Sequence, residues 1–257
     1  MRGGSRLKLL SMQEGGLSQG DYKARGVVLR RRDGGKSQEL LLFLSSHGVV
    51  RVSAPGAGSK NRFGAGTEPM VWGEFLLYQS TRSLYLKGVD VREGFWGVRG
   101  SRSALRMAVK WCGEVASRLM PGVESDNLLS LLWGSMKNLS NGFSPLLLDV
   151  RFAWRWGNLW GVAPPLDSCT SCGARIDGSS GLVARSSDGL LCADCGRAAS
   201  ESSGESRGSL PLPTLRTLRS AALLPKDAFQ IWASESAASD AALSECPAWL
   251  YSFITLH

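Results

Sequence analysis

From Lys23 onward, apolar and polar positions repeat at short intervals. KARGVVLRRRD places Val27 and Leu29 on one face and stops at Asp33-Gly34-Gly35, which predicts a strand and a turn. ELLLFLSSHG predicts a second strand and turn, and VVRVSA a third. PGAGSKNRFGAGTEP is broken too often by glycine and proline for either regular structure and reads as a long loop. VWGEFLLYQ and SLYLKGVDVRE predict two further strands across a short Ser80-Thr81-Arg82 connection. No helical period separates the first three strands. The economical arrangement of five such strands is a small barrel, because closure removes sheet edges. Ahead of them, residues 1–21 are rich in Gly and Ser and read as a flexible lead-in.

Beyond Gly100 the period lengthens. SALRMAVKWCGEVASRLM spaces Leu105, Ala108, Val109, Cys112, Val115, Ala116 and Leu119 as a helix, ended by Pro121-Gly122. SDNLLSLLWGSMKNLS offers Ser125 and Asp126 as caps for a second helix. SPLLLDVRFAWRWGNLW offers Ser144 as cap and Pro145 at the first helical position of a third. PTLRTLRSAALL is a further short helix. The stretch AASESSGESRGS, residues 198–209, is small, polar and expected to be mobile. The tail from Ala237 to His257 reads as one more helix, broken at Pro247.

Composition narrows the class. Apolar residues make up 43% and charged residues 20%, enough for real cores and too little charge for disorder throughout. The longest apolar runs, such as Leu40 to Leu44, are too short to span a bilayer, and the first residues lack the apolar stretch of a secretory signal. A cytoplasmic protein with no membrane partner is expected. The net charge of +8 is unevenly spread. Met1 to Arg62 holds twelve Lys or Arg against four Asp or Glu, whereas Gly161 onward holds seven against ten. A basic N-terminal module beside a weakly acidic C-terminal one points to a polyanion as partner.

Four of the six cysteines form two CxxC pairs, Cys169/Cys172 and Cys192/Cys195, with a glycine after each second cysteine. Two such turns supply a tetrahedral set of four thiolates, which suits one zinc ion. An iron–sulfur cluster or a thiol redox pair are the alternatives. Four protein ligands leave no open position, so a structural ion is expected. Cys112 and Cys246 lie among apolar neighbours and read as core. Trp111, Trp133, Trp154, Trp156 and Trp160 fall at helical positions and read as core or protein-interface residues.

No enzyme is expected. The two histidines, His47 and His257, sit near no nucleophile motif, and the chain has no GxSxG, HExxH or Walker loop. The basic residues Arg25, Arg30, Arg31, Arg32, Lys36, Arg51, Lys60 and Arg62 fall in the first three strands or the long loop. They are the candidate phosphate contacts, with Phe63 or Tyr22 as a base-stacking platform and loop packing as the alternative for Phe63.

The order of these pieces resembles the bacterial DNA repair protein RecO family. The resemblance rests on GVVLRRRDGGKSQELLLFLSSHGVVRVSAPGAGSKNRF, on LLDVRFAWRWGNLWGVAPPLDSC leading to the first cysteine, and on the paired CxxC motifs, across about Tyr22 to Leu224. It implies an α+β, multi-domain chain. An N-terminal five-stranded OB-type β-barrel is followed by an α-helical domain with an inserted four-cysteine zinc finger. The divisions are lead-in 1–21, barrel 22–97, helical domain 98–164 and 200–257, and zinc finger 165–199. It also implies one structural zinc on Cys169, Cys172, Cys192 and Cys195, and no catalytic residues. The implied function is that of a recombination mediator, which binds single- and double-stranded DNA and anneals complementary strands. Such a mediator helps RecA, an indirect partner, onto DNA coated by single-stranded DNA-binding protein. RecR and the tail of that coat protein are the implied partners, and the nucleoid the implied place of work during repair. A general nucleic-acid-binding barrel and zinc-finger protein without mediator activity is the alternative.

Overall fold

The structure, a computed structural model, describes residues 19–34, 37–56, 62–176, 182–203, 208–236 and 242–254. The expected lead-in lies outside them except for residues 19–21, and Gly20 and Asp21 already belong to the first strand. The described chain divides into two units. The first runs to Glu93 and adds Leu119–Asp126, and the second comprises Gly94–Arg118 and the chain from Asn127.

In the first unit the five expected strands form: β1 (Gly20–Gly34), β2 (Ser37–Leu44), β3 (Gly48–Pro55), β4 (Trp72–Gln79) and β5 (Leu84–Glu93). Their apolar alternation buries Val28, Leu42, Val50, Phe75, Leu77 and Leu86 in one interior. The expected OB-type barrel needs correction at its seam. Neighbours run β1-β2-β3-β5-β4, and the ladders β1–β2, β2–β3, β1–β4 and β4–β5 are all antiparallel. β3 and β5, however, are joined only by the parallel pair Ser53↔Tyr85. An odd number of strands cannot alternate in direction all the way round, so one junction must be parallel. Register shifts at Trp72/Gly73 and Leu76/Leu77 also turn β5 relative to β4. The result is a mixed five-stranded sheet that closes on itself through that single parallel pair.

The segment Leu119–Asp126 returns to this sheet. Val49 and Pro121 form a parallel bridge, and Gly122 N–H donates to the Val49 carbonyl at 3.0 Å. Asp126, expected as a helix cap, instead accepts from Ser45 Oγ and from the Ser46 N–H, both at 2.8 Å. Gly48 makes the approach possible. Its φ is +66°, and a Cβ there would sit 2.0 Å from the Val123 carbonyl oxygen. Gly48→Ala is therefore expected to cost about 2 kcal/mol from the left-handed backbone and the clash together. The measurement is a shift of the denaturant midpoint; a midpoint equal to wild type would refute the close approach.

The second unit contains α1 (Trp96–Arg99), α2 (Arg102–Arg118), α3 (Asp126–Ser140), α4 (Pro145–Leu159), α5 (Ala193–Ser203), α6 (Leu212–Leu223), α7 (Lys226–Glu235) and α8 (Cys246–Tyr251). α4 starts at Pro145, as its sequence predicts, but the Ser144 side chain makes no capping hydrogen bond. Trp111 and Trp156 are fully buried and linked through Phe152, with ring centroids 5.1 and 5.7 Å apart. Cys112 and Cys246 lie in the core. A small sheet, β7-β6-β8, joins Leu190–Leu191, Leu182–Arg185 and Ser209–Pro211. The polar stretch after residue 198 is helical as far as Ser203, because α5 starts back at Ala193, with alanines to favour it and Asp194 in its first turn.

Candidate metal centre and nucleic-acid interface

The structure brings the four cysteines of the two CxxC pairs together. One Sγ from each of Cys169, Cys172, Cys192 and Cys195 lies within 4.8 Å of the others, and Cys172 Sγ to Cys192 Sγ is 3.8 Å. Four sulfurs about 2.3 Å from a central ion would stand about 3.8 Å apart along each tetrahedral edge. The donor set thus fits a soft or borderline metal ion. Both turns are built by the backbone. Gly173 N–H donates to the Cys169 carbonyl at 2.9 Å, with Gly173 at φ +74°, and Gly196 N–H donates to the Cys192 carbonyl at 2.8 Å. Thr170 N–H reaches the Leu190 carbonyl at 2.9 Å, which fastens the first turn to the start of β7.

The surroundings already favour thiolate at one position. Burial pushes the Cys169 thiol up, but backbone N–H groups of Cys192, Cys172 and Ser171 outweigh it and bring it down to about 6. Cys195 shows the converse. The Ser171 hydroxyl lowers its pKa, yet the neighbouring Cys172 and Cys192 thiols together push it up to about 12. With all four thiolates bound, no coordination position would be left for water or substrate, so an ion held here would support structure.

Sequence reasoning missed the residue that holds this module at its base. Arg219 on α6 donates through Nε to the Leu166 carbonyl at 2.6 Å and through Nη2 to the Ile176 carbonyl at 2.7 Å. Burial lowers its pKa. Arg216, in the same run, is exposed, and nothing in LRTLR distinguishes the two. On the other side, Trp249 Nε1 donates to the Ser186 carbonyl at 2.9 Å, and Arg185 pairs with Glu245.

The basic candidates of the first unit separate onto two faces. Pairing between β1 and β2 slips between Val28 and Arg30, leaving Leu29 as an extra residue. Arg30 lies opposite Leu41, which lies opposite Arg51, so the two arginines share the outer face of β1-β2-β3. Arg32 follows one step on, opposite Glu39, and Arg51 pairs with Glu39 at 3.6 Å. Arg25 is also exposed and lies opposite Glu74. The Glu74 carboxyl is held below its usual range, first by the hydrogen bond from Lys23, 2.9 Å away. Arg31 turns the other way. It lies opposite the interior Leu40, pairs with Glu68, and places Nε 3.5 Å from Asp33, which also accepts from Gln38 at 2.9 Å. Arg62 is exposed with its guanidinium 5.2 Å from the Phe63 ring centre, while Phe63 and Tyr22 pack against the interior cluster. Lys36 and Lys60 lie outside the described residues.

A paired-cysteine cluster able to hold a metal ion in a helical unit, downstream in sequence of a sheet with arginines on its outer face, defines a class of two-part protein. Comparison with known proteins names the family. The profile described as "Recombination protein O C terminal" matches residues 107–227. "DNA repair protein RecO" of Rubrobacter xylanophilus is 30% identical over 209 residues, 79% of this chain and 82% of that protein. "DNA repair protein RecO" of Geobacter metallireducens is 32% identical over 181 residues, 68% of this chain and 72% of that protein. The chain belongs to the RecO family. Among the described residues, no helix is long and apolar enough to cross a membrane.

Proposed function

We propose that this protein is a cytoplasmic recombination mediator. It binds single- and double-stranded DNA, anneals complementary strands, and helps RecA assemble on DNA coated by single-stranded DNA-binding protein. RecR and the coat protein's tail are its partners, and the reading needs no reaction on the protein itself. Residues 22–97 carry DNA, residues 98–164 and 200–257 dock partners, and residues 165–199 form a finger around one zinc ion. The cation supplies cross-linking only, through Cys169, Cys172, Cys192 and Cys195. The observation that carries the reading is the outer row of Arg30 and Arg51, with Arg25 and Arg32 beside it, in a RecO-family chain.

Phosphate contacts of this kind release counterions, so affinity falls steeply with salt. Tethering through the coat protein raises the local concentration of the mediator and lets neutralised strands meet. The test is annealing of two complementary oligonucleotides, each coated with single-stranded DNA-binding protein. Acceleration without ATP, suppressed by salt, is expected. Tight DNA binding without acceleration would leave a general nucleic-acid-binding protein. Arg30→Ala and Arg51→Ala should each reduce the slope of log affinity against log salt by roughly one and weaken all DNA sequences alike. Unchanged slopes in both would remove these arginines from the interface.

A further inference from the structure

We propose that Trp96 is a base-stacking platform for single-stranded nucleic acid, with Arg99, Arg102 and Arg106 as its flanking cations. The inference rests on the DNA-binding reading and adds a contact in the second unit. Trp96 is 72% exposed, although tryptophan is among the more buried residue types on average. Its mount is fixed. Phe95, just before it, is fully buried in a left-handed conformation, φ 49°, with its ring 5.1 Å from that of Trp133. Val98, just after, is also fully buried. Gly97 is pressed so closely on the end of α3 that a Cβ would meet the Ser140 carbonyl oxygen at 2.6 Å. The indole lies close over Gly94, where a Cβ would stand 3.1 Å from Cε2. A large apolar ring is thus held out to water by a backbone with no slack to withdraw it.

Charge selects the occupant. Residues 94–109 hold the cations Arg99, Arg102 and Arg106 and no carboxylate. The Arg99 guanidinium sits 5.7 Å from the Trp96 ring centre, anchored by Nε to the Gly94 carbonyl at 3.0 Å. Arg102 and Arg106 are exposed one turn apart on α2, and neither is ion-paired among the described residues. A flat aromatic face with one guanidinium beside it and two further cations on the next helix is the chemistry that takes an unpaired base with its phosphate. A purely apolar protein contact would leave the Arg102 and Arg106 charges unmatched.

The probe is a fluorescently labelled oligothymidine, followed by anisotropy across a salt series with the full chain. Trp96→Ala should weaken binding by about tenfold, with the salt slope unchanged because the indole carries no charge. Trp96→Phe should recover most of the affinity, and an abasic oligonucleotide should bind wild type and Trp96→Ala alike. Equal thermal melting of the three proteins checks that the exposed substitution leaves the fold intact. Wild-type affinity in Trp96→Ala would overturn the inference alone. So would a loss confined to DNA coated with single-stranded DNA-binding protein, which would assign the ring to a protein contact. Failure of the wild type to bind oligothymidine would overturn the DNA-binding reading itself.

Discussion

Asp149→Ala is expected to destabilise the helical unit by about 4 kcal/mol, seen as a lower denaturant midpoint. Asp149 is only 2% exposed, in the second turn of α4. Its Oδ1 accepts from Trp111 Nε1 at 2.9 Å and from the Tyr251 hydroxyl at 3.0 Å, and Oδ2 accepts from Lys110. One carboxylate therefore joins α2, α4 and α8. Removing it strands a buried indole N–H and a buried phenol, each costing about 1–3 kcal/mol. Lys110 adds little, because its ammonium is partly exposed and can turn to water. Asp149→Asn retains an acceptor and should lose about half as much. Burial, and then the neighbouring Asp149 carboxylate, push the Tyr251 phenol well above its ordinary value near 10.0. A raised acid pKa favours the unfolded state once the unfolded phenol begins to ionise, so this group costs stability as pH rises above about 10. Stability is thus constant through neutral pH, and folding takes up protons as pH rises above about 10. A midpoint for Asp149→Ala equal to wild type would mean that these contacts contribute nothing.

Cys192→Ser should have the larger local effect. It removes one of four ligands, and metal coordination in small modules of this type contributes on the order of 10 kcal/mol to folding. The expected result is loss of bound metal and rapid proteolysis within residues 165–199, with α2, α4 and α8 still packed. Metal-to-protein ratio and limited digestion read both. Because the ligands bind as thiolates, metal binding releases protons and should weaken as pH falls. One bound ion per chain in the variant would show that the four cysteines do not act as a set.

Periodicity exposed the strands and the long helices because those elements bury one regular face. Leu40, Leu42 and Leu44 alternate as a strand demands, and Leu128, Leu132 and Met136 repeat as a helix demands. The cysteine set was legible because coordination requires two close pairs, whatever lies between them. What escaped depended on single events. The slip at Leu29 is one residue long, yet it sends Arg31 inward while Arg30 and Arg32 stay outward, and RRR carries no mark of that division. The parallel seam at Ser53 and Tyr85 follows from strand count rather than from any residue. Asp149 looked like an ordinary helix carboxylate because its partners are 38 and 102 residues away in sequence. Arg219 looked like Arg216 for the same reason.

The grip of Arg219 on Leu166 and Ile176 bears on how the cysteine module meets its ion. Those two carbonyls mark the entrance and exit of the first cysteine turn, so a single guanidinium shuts the loop before any metal arrives. Closing a loop of about ten residues costs roughly 2 kcal/mol of chain entropy, which helix packing has then already met. Coordination is left to align side chains within a ring that is already drawn shut. A ring closed in this way should bind an ion more tightly than an open one would.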